Sequence, residues 1–133
     1  MRVAVVDLGT NTCRLFLAEV GDAGDVKTVA RLTTVVRLGQ GVDRTGHLDP
    51  SAVARTRACL AGYVPRLEAY GPARRLLVAT SVLRDAADGR GFLDGVARDF
   101  ALPARVLGGE EEGALAFRGG TAQLAGRASG PLV

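Results

Sequence analysis

Residues 3–20 read VAVVDLGTNTCRLFLAEV. Two apolar runs flank a six-residue stretch, residues 7–12, that holds a carboxylate, a glycine, two threonines and an asparagine. Short apolar runs bounded by turn residues predict buried strands. The first strand is expected over residues 2–7 and the second over residues 13–20. The link between them is too short for a crossover, so the pair is antiparallel. A polar GDAG turn follows at residues 21–24, and residues 26–37, VKTVARLTTVVR, alternate apolar and polar as a third strand. Three strands joined by short turns predict an antiparallel meander.

Downstream the period changes. LGQGVDRTGHLDP, residues 38–50, is rich in turn residues and reads as a loop. Asp49 is a good N-cap with Pro50 at the first helical position, and Val53, Leu60, Val64 and Leu67 recur at helical spacing. Pro65 should kink this helix or end its regular hydrogen bonding, and Gly71-Pro72 should stop it. A short buried strand is expected over 75–80, a helical turn over 81–87, an amphipathic helix over 92–100, a strand at ARVL (104–107) and a last helix over 110–124. Strands that alternate with helices are joined in parallel by right-handed crossovers. The expected fold class is therefore α/β: a mixed five-stranded sheet in which a three-strand antiparallel meander is followed by parallel strands alternating with helices. This is the element order of a ribonuclease-H-like lobe, half of an actin-like ATPase core.

The chain of 133 residues is one domain by length, and its 47% hydrophobic content supports a real core. With no Trp and few aromatics, that core should be aliphatic. No apolar run approaches the roughly 20 residues of a membrane span, so no membrane partner is expected. Asp7 interrupts the N-terminal apolar stretch too early for a secretory signal, and the widely spaced Cys13 and Cys59 are expected as reduced thiols. The expected compartment is the cytoplasm. Net charge is +3, and Lys27 is the only Lys among 17 basic residues. The arginines are scattered rather than clustered, so no nucleic-acid partner is expected. His47 is the only histidine; one His cannot build a zinc site, and it is expected at the surface.

A strand that ends in Asp and turns through Gly suits phosphate chemistry. Gly9 permits close backbone approach and unusual dihedrals. Exposed N–H groups and the Thr10 and Thr12 hydroxyls can cradle phosphate oxygens, with Asp7 placed to hold Mg²⁺ beside them. The same residues also suit an ordinary hairpin turn.

Four stretches, in order, resemble the exopolyphosphatase/guanosine pentaphosphatase (Ppx/GppA) family of the actin–Hsp70–sugar kinase superfamily. They are DLGTNTCRL (7–15), VVRLGQGVDRTGHL (35–48), VATSVLRDAADGRGFL (78–93) and VLGGEEEGALAFRG (106–119). The resemblance spans residues 1–120. It implies hydrolysis of phosphoric anhydrides: release of terminal phosphate from inorganic polyphosphate, from guanosine pentaphosphate, or from both. By position it makes Asp7, Gly9, Thr10, Asn11 and Thr12 the first phosphate loop, with Arg14 fitting the same motif. Arg84 matches a family arginine that faces the phosphate chain, a bidentate clamp on a phosphoryl group gaining charge.

The run Glu110-Glu111-Glu112 would favour a helix N-terminus whatever its function. The resemblance selects Glu112 as the glutamate that orients and deprotonates the attacking water, with neighbouring carboxylates raising its pKa. Glu111 is the second choice, because consecutive helical residues point about 100° apart.

Gln40 stands where the family usually has Glu, and Asp88 where it has Asn. The resemblance also implies a second lobe with a second phosphate motif. GRASGPLV, residues 126–133, is read as a boundary at which that lobe is cut away, so the chain alone should be inactive or nearly so. Homodimerisation of the full-length protein stays open, as do two other functions: a kinase-type phosphotransferase half, and a non-catalytic binder of guanosine tetraphosphate or polyphosphate.

Overall fold

The structure is a computed structural model, and it describes residues 1–107. Its elements run β1 (Arg2–Leu8), β2 (Thr12–Val20), β3 (Val26–Val35), α1 (Val42–Thr45), α2 (Pro50–Tyr70), β4 (Arg74–Ala79), α3 (Ser81–Asp85), α4 (Gly89–Asp99) and β5 (Ala104–Val106). The strands form one sheet in the order β3-β2-β1-β4-β5. β2 lies antiparallel to both β1 and β3, while β1–β4 and β4–β5 are parallel. The expected mixed five-stranded sheet is the one observed. The helix expected over 110–124 and the boundary at 126–133 lie outside the described residues.

Register fixes which side chains share a face. Leu8 opposes Cys13, Val6 opposes Leu15 and Ala4 opposes Leu17. On β4, Leu77 and Ala79 align with Val6 and Leu8. These residues form one apolar face, and α2 closes it with Leu60, Tyr63 and Leu67 while α4 adds Leu93 and Val96. Truncating one such Leu to Ala costs about 2–5 kcal/mol. The other face carries Val5, Asp7, Arg14, Phe16 and Val78, and is only partly buried within the described residues.

The strip that α2 buries is not centred where the Val/Leu spacing put it. Ala52, Thr56, Leu60, Tyr63 and Leu67 are buried, whereas Val53 and Val64 flank them. Thr56 is tolerated inside because its hydroxyl donates to the Ala52 carbonyl at 2.9 Å, leaving its methyl to pack. Pro65 does not end the helix, which runs unbroken to Tyr70. Both Pro65 and Ala61, whose carbonyl loses its intrahelical donor, face solvent, so water satisfies the orphaned acceptor. Asp49 caps the start, and Gly71 at φ 65° closes the end.

Other boundaries moved for local reasons. The expected loop 38–50 contains the one-turn helix α1, framed by Gly41 and Gly46 at φ 76° and 73°. α4 begins at Gly89 rather than residue 92. The alternation in β3 does not signal a half-buried strand: it is the sheet edge, with Val26, Val29 and Val35 exposed. Its register shifts opposite Leu17/Ala18, where Val29 has no cross-strand partner. The only Lys of the chain, Lys27, sits on this edge, where a charge discourages strand addition.

Candidate active site

β1, β4 and β5 point the same way, so their C-terminal ends share one rim of the sheet. Ligands of open α/β sheets bind at that rim. Asp7 is the penultimate residue of β1, opposite Arg14 on β2 and beside Val78 on β4. All three point to the face that α2 does not cover. The residues 9–11 form the tight link that follows.

Two carbonyls of that link are engaged. The Asn11 carbonyl accepts from the Val36 and Arg37 N–H groups at 2.9 and 3.0 Å, and the Thr10 carbonyl from Gly39 at 2.9 Å. Gly9 N–H closes the turn onto the Thr12 carbonyl at 2.9 Å, and Thr80 N–H donates to the Leu8 carbonyl at 3.2 Å. Among the described residues, no backbone carbonyl takes the N–H of Thr10 or Asn11. The turn therefore spends its acceptors inward on residues 36–39 and keeps two adjacent donors for a ligand, the pattern of an anion-binding nest.

Gly9 needs correcting in one respect. Its φ is not in the left-handed region, so conformational freedom does not explain it. A Cβ there would meet the Thr12 carbonyl oxygen at 3.5 Å and the Thr80 hydroxyl at 3.9 Å, both ordinary contacts. What Gly9 provides is a bare surface for close approach. The strict steric demand falls on Gly39, where a Cβ would run into the Thr10 γ-methyl.

Segment 36–40 is braced from behind by a network that the sequence did not signal. Arg55 on α2 donates from Nε to the Val36 carbonyl at 2.9 Å and from Nη2 to Gln40 Oε1 at 2.7 Å. Gln40 Nε2 donates to Asp49 Oδ2 at 2.5 Å, and Ser51 Oγ donates to the same oxygen at 2.9 Å. This explains the departure at residue 40. A glutamine can accept from Arg55 and donate to Asp49 at once; a glutamate could only accept. Asp88 accepts the Leu48 N–H at 2.9 Å and does not cap α4, a role an asparagine oxygen fills equally well. His47 is exposed, as expected.

The structure brings Asp7, Gly9, Thr10, Asn11, Thr12 and Arg14 to one corner of the sheet. Arg14 Nε is buried with no hydrogen-bond partner among the described residues. Arg84 lies on α3 at the same rim and donates from Nη1 to the Leu107 carbonyl, just past β5. Glu111 and Glu112 lie outside the described residues. No group of three or more His, Cys, Asp or Glu could hold a metal among the described residues. Asp7 alone nonetheless fits Mg²⁺, which is usually held by one or two carboxylates with phosphate and water completing its shell. No helix among the described residues is long and apolar enough to cross a membrane.

The profile of the Ppx/GppA phosphatase family matches residues 17–132. Exopolyphosphatase 2 of Mycobacterium tuberculosis is 44% identical over 140 residues, covering 99% of this chain and 44% of its own length. The chain thus spans under half the length of this curated relative. The crystal structure of the Aquifex aeolicus Ppx/GppA family member matches with a TM-score of 0.85 at 30% identity, over 94% of this chain and 40% of the other. An exopolyphosphatase from Cytophaga hutchinsonii shares the fold, with a TM-score of 0.81 at 24% identity over 90% of this chain and 38% of the other.

Proposed function

The chain belongs to the Ppx/GppA phosphatase family, and we propose that it supplies the N-terminal, ribonuclease-H-like lobe of an exopolyphosphatase. The reaction is hydrolysis of the terminal phosphoric anhydride bond of inorganic polyphosphate, completed with a second lobe. The observation that carries this reading is the pair of N–H groups on Thr10 and Asn11, unengaged among the described residues, at the end of the strand that bears Asp7. Polyphosphate is a chain of anionic oxygens, and adjacent donors at a strand end bind such oxygens without a bulky side chain intervening.

The roles divide as follows. The Thr10 and Asn11 amides, with the Thr10 and Thr12 hydroxyls, hold non-bridging phosphate oxygens. Arg14 adds a positive charge opposite Asp7. Asp7 would hold Mg²⁺, which supplies charge neutralisation on the phosphates and the leaving oxygen. Arg84 clamps the phosphoryl group as charge builds on it. Glu112 takes a proton from the attacking water, with Glu111 as the alternative base. Water oxygen bonds to the terminal phosphorus, the bridging P–O bond breaks, the shortened polyphosphate departs with the bridging oxygen, and the terminal group is released as orthophosphate.

The test is phosphate release from long-chain polyphosphate with Mg²⁺ by the full-length protein, beside Glu112→Gln and Asp7→Asn. Release that falls roughly 100-fold or more in each variant supports the assignment. Release from guanosine pentaphosphate alone would move the substrate to the nucleotide. Tight binding of either without turnover would make the protein a binder.

A further inference from the structure

On the covered face of the sheet, behind the phosphate turn, the two cysteines of the chain meet. Cys13 follows Thr12 directly on β2 and is fully buried. Cys59 lies on α2 and is half-buried at the margin of the core. The two thiols lie near enough to perturb each other's titration. The surroundings are polar where an aliphatic core would be expected. Tyr63, one turn after Cys59, donates its hydroxyl to the Cys13 carbonyl at 2.9 Å and pairs with the Thr34 hydroxyl at 2.8 Å. Thr34 is the cross-strand partner of Cys13.

We propose that Cys13 and Cys59 are a redox-active dithiol, which hydroperoxides oxidise to an intramolecular disulfide clamping β2 to α2 directly behind the phosphate turn. Three features assign the roles. Cys59 is the more exposed of the two cysteines, so it meets the oxidant first. The neighbouring Cys13 thiol favours its thiolate and, against the opposing effect of burial, holds the Cys59 thiol down to about 6. Cys13 is screened from solvent, and its contact with Cys59, burial and the Asp7 carboxylate together push its thiol up. It stays a neutral thiol until a sulfenic acid forms beside it. The inference does not depend on the proposed substrate.

The chemistry balances in two steps. The Cys59 thiolate, its proton already lost to solvent, attacks one oxygen of hydrogen peroxide; the O–O bond breaks, that oxygen becomes the sulfenic acid, and the departing hydroxide takes a proton back from solvent to leave as water. The peroxide is reduced by two electrons and Cys59 is oxidised by two. The Cys13 sulfur then attacks the Cys59 sulfur, the S–O bond breaks, the Cys13 proton and the hydroxyl leave as a second water, and the S–S bond forms. A dithiol reductant reverses the result by exchange.

The experiment treats the full chain with hydrogen peroxide and maps both sulfurs. The expected product has lost about 2 Da, two hydrogens. It shows no alkylatable thiol after denaturation, yields a tryptic cross-link between peptides 3–14 and 58–66, and recovers both thiols with dithiothreitol. Cys13→Ser should stop at a sulfenic acid on Cys59 that dimedone traps. Cys59→Ser, a change at a partly exposed site, should leave Cys13 unreactive under the same treatment. The proposal is overturned if wild type accumulates a Cys59 dimedone adduct with Cys13 still alkylatable, if the cross-link joins two chains, or if both thiols survive. The wild-type peptide map decides the matter even if Cys13→Ser does not fold.

Discussion

Arg37 donates its backbone N–H to the Asn11 carbonyl at 3.0 Å, and it does so from a left-handed conformation, φ 52°. That conformation turns the chain leaving β3 back across the β1–β2 link. A side chain in this region costs about 1–2 kcal/mol, and the paired hydrogen bonds from Val36 and Arg37 offset it. The strain has a consequence at the site: the Asn11 and Thr10 carbonyls are held by residues 36–39, while no backbone carbonyl among the described residues takes the Thr10 or Asn11 amides.

Residue 37 should therefore respond to backbone shape more than to charge. Arg37→Gly is expected to be neutral to within about 0.5 kcal/mol, because relief of strain and added chain entropy oppose each other. Arg37→Val should cost about 1–2 kcal/mol, since branching at Cβ makes the left-handed region harder to hold. Urea midpoints of the two variants against wild type measure the difference.

Gln40→Glu separates the two halves of the bracing network. The new carboxylate keeps Arg55 but faces Asp49 without a donor. At neutral pH it should lower stability by about 0.5–1 kcal/mol. Repulsion from Asp49 raises the pKa of the new acid above its unfolded value. The penalty is then absent at low pH, where the protonated acid donates again, and appears as pH rises through the carboxylate range. Thermal midpoints between pH 4 and pH 8 should diverge from wild type in that direction; a constant offset would contradict the network.

Two glycines should respond oppositely to a methyl group. A Cβ at Gly89 would drive into the Leu83 carbonyl at the junction of α3 and α4. Backbone cannot swing aside, so Gly89→Ala should cost about 1–3 kcal/mol. Gly62 lies exposed within α2 with nothing near its Cβ. Gly62→Ala should raise stability by about 0.5–1 kcal/mol through helix propensity and a less flexible unfolded chain.

Cys59 should alkylate with a pH profile centred at about 6 rather than the ordinary thiol value of 9.0. Cys13→Ala removes the thiol that chiefly holds it down and should move that midpoint upward. The depressed pKa also adds stability that grows as pH rises from about 6 toward 9.0, because the unfolded chain keeps that proton longer. Above that range the raised Cys13 thiol works the other way, and stability should fall.

Much of the fold was legible because its signals are local. The two apolar runs and the short links fixed the meander, and the change of period announced the parallel half. Burial by small or polar residues was not legible. Ala52 and Thr56 carry the centre of the α2 strip, yet neither weighs as apolar in a search for Val and Leu. An edge strand alternates like a half-buried one, so the pattern of β3 does not reveal its exposure. Pro65 reads as a breaker unless its exposure is known.

For the site, the turn composition pointed to Asp7 and residues 9–12, and the strand register brought Arg14 opposite Asp7. Of the two reasons for Gly9, the unusual dihedral was misjudged, because no sequence signal separates a glycine kept for its φ from one kept for bare surface. Arg55 and Gln40 were missed as a unit, since they meet only when α2 packs behind segment 36–40.

The account stands on the two amides of Thr10 and Asn11. The most direct measurement is a titration of the ¹⁵N-labelled chain with inorganic tripolyphosphate, following each backbone amide by NMR. The account predicts that the Thr10 and Asn11 amides shift first and furthest, saturably, and that Asp7→Asn leaves both peaks in place with an altered response to Mg²⁺. Saturable shifts elsewhere with these two amides unmoved would contradict it.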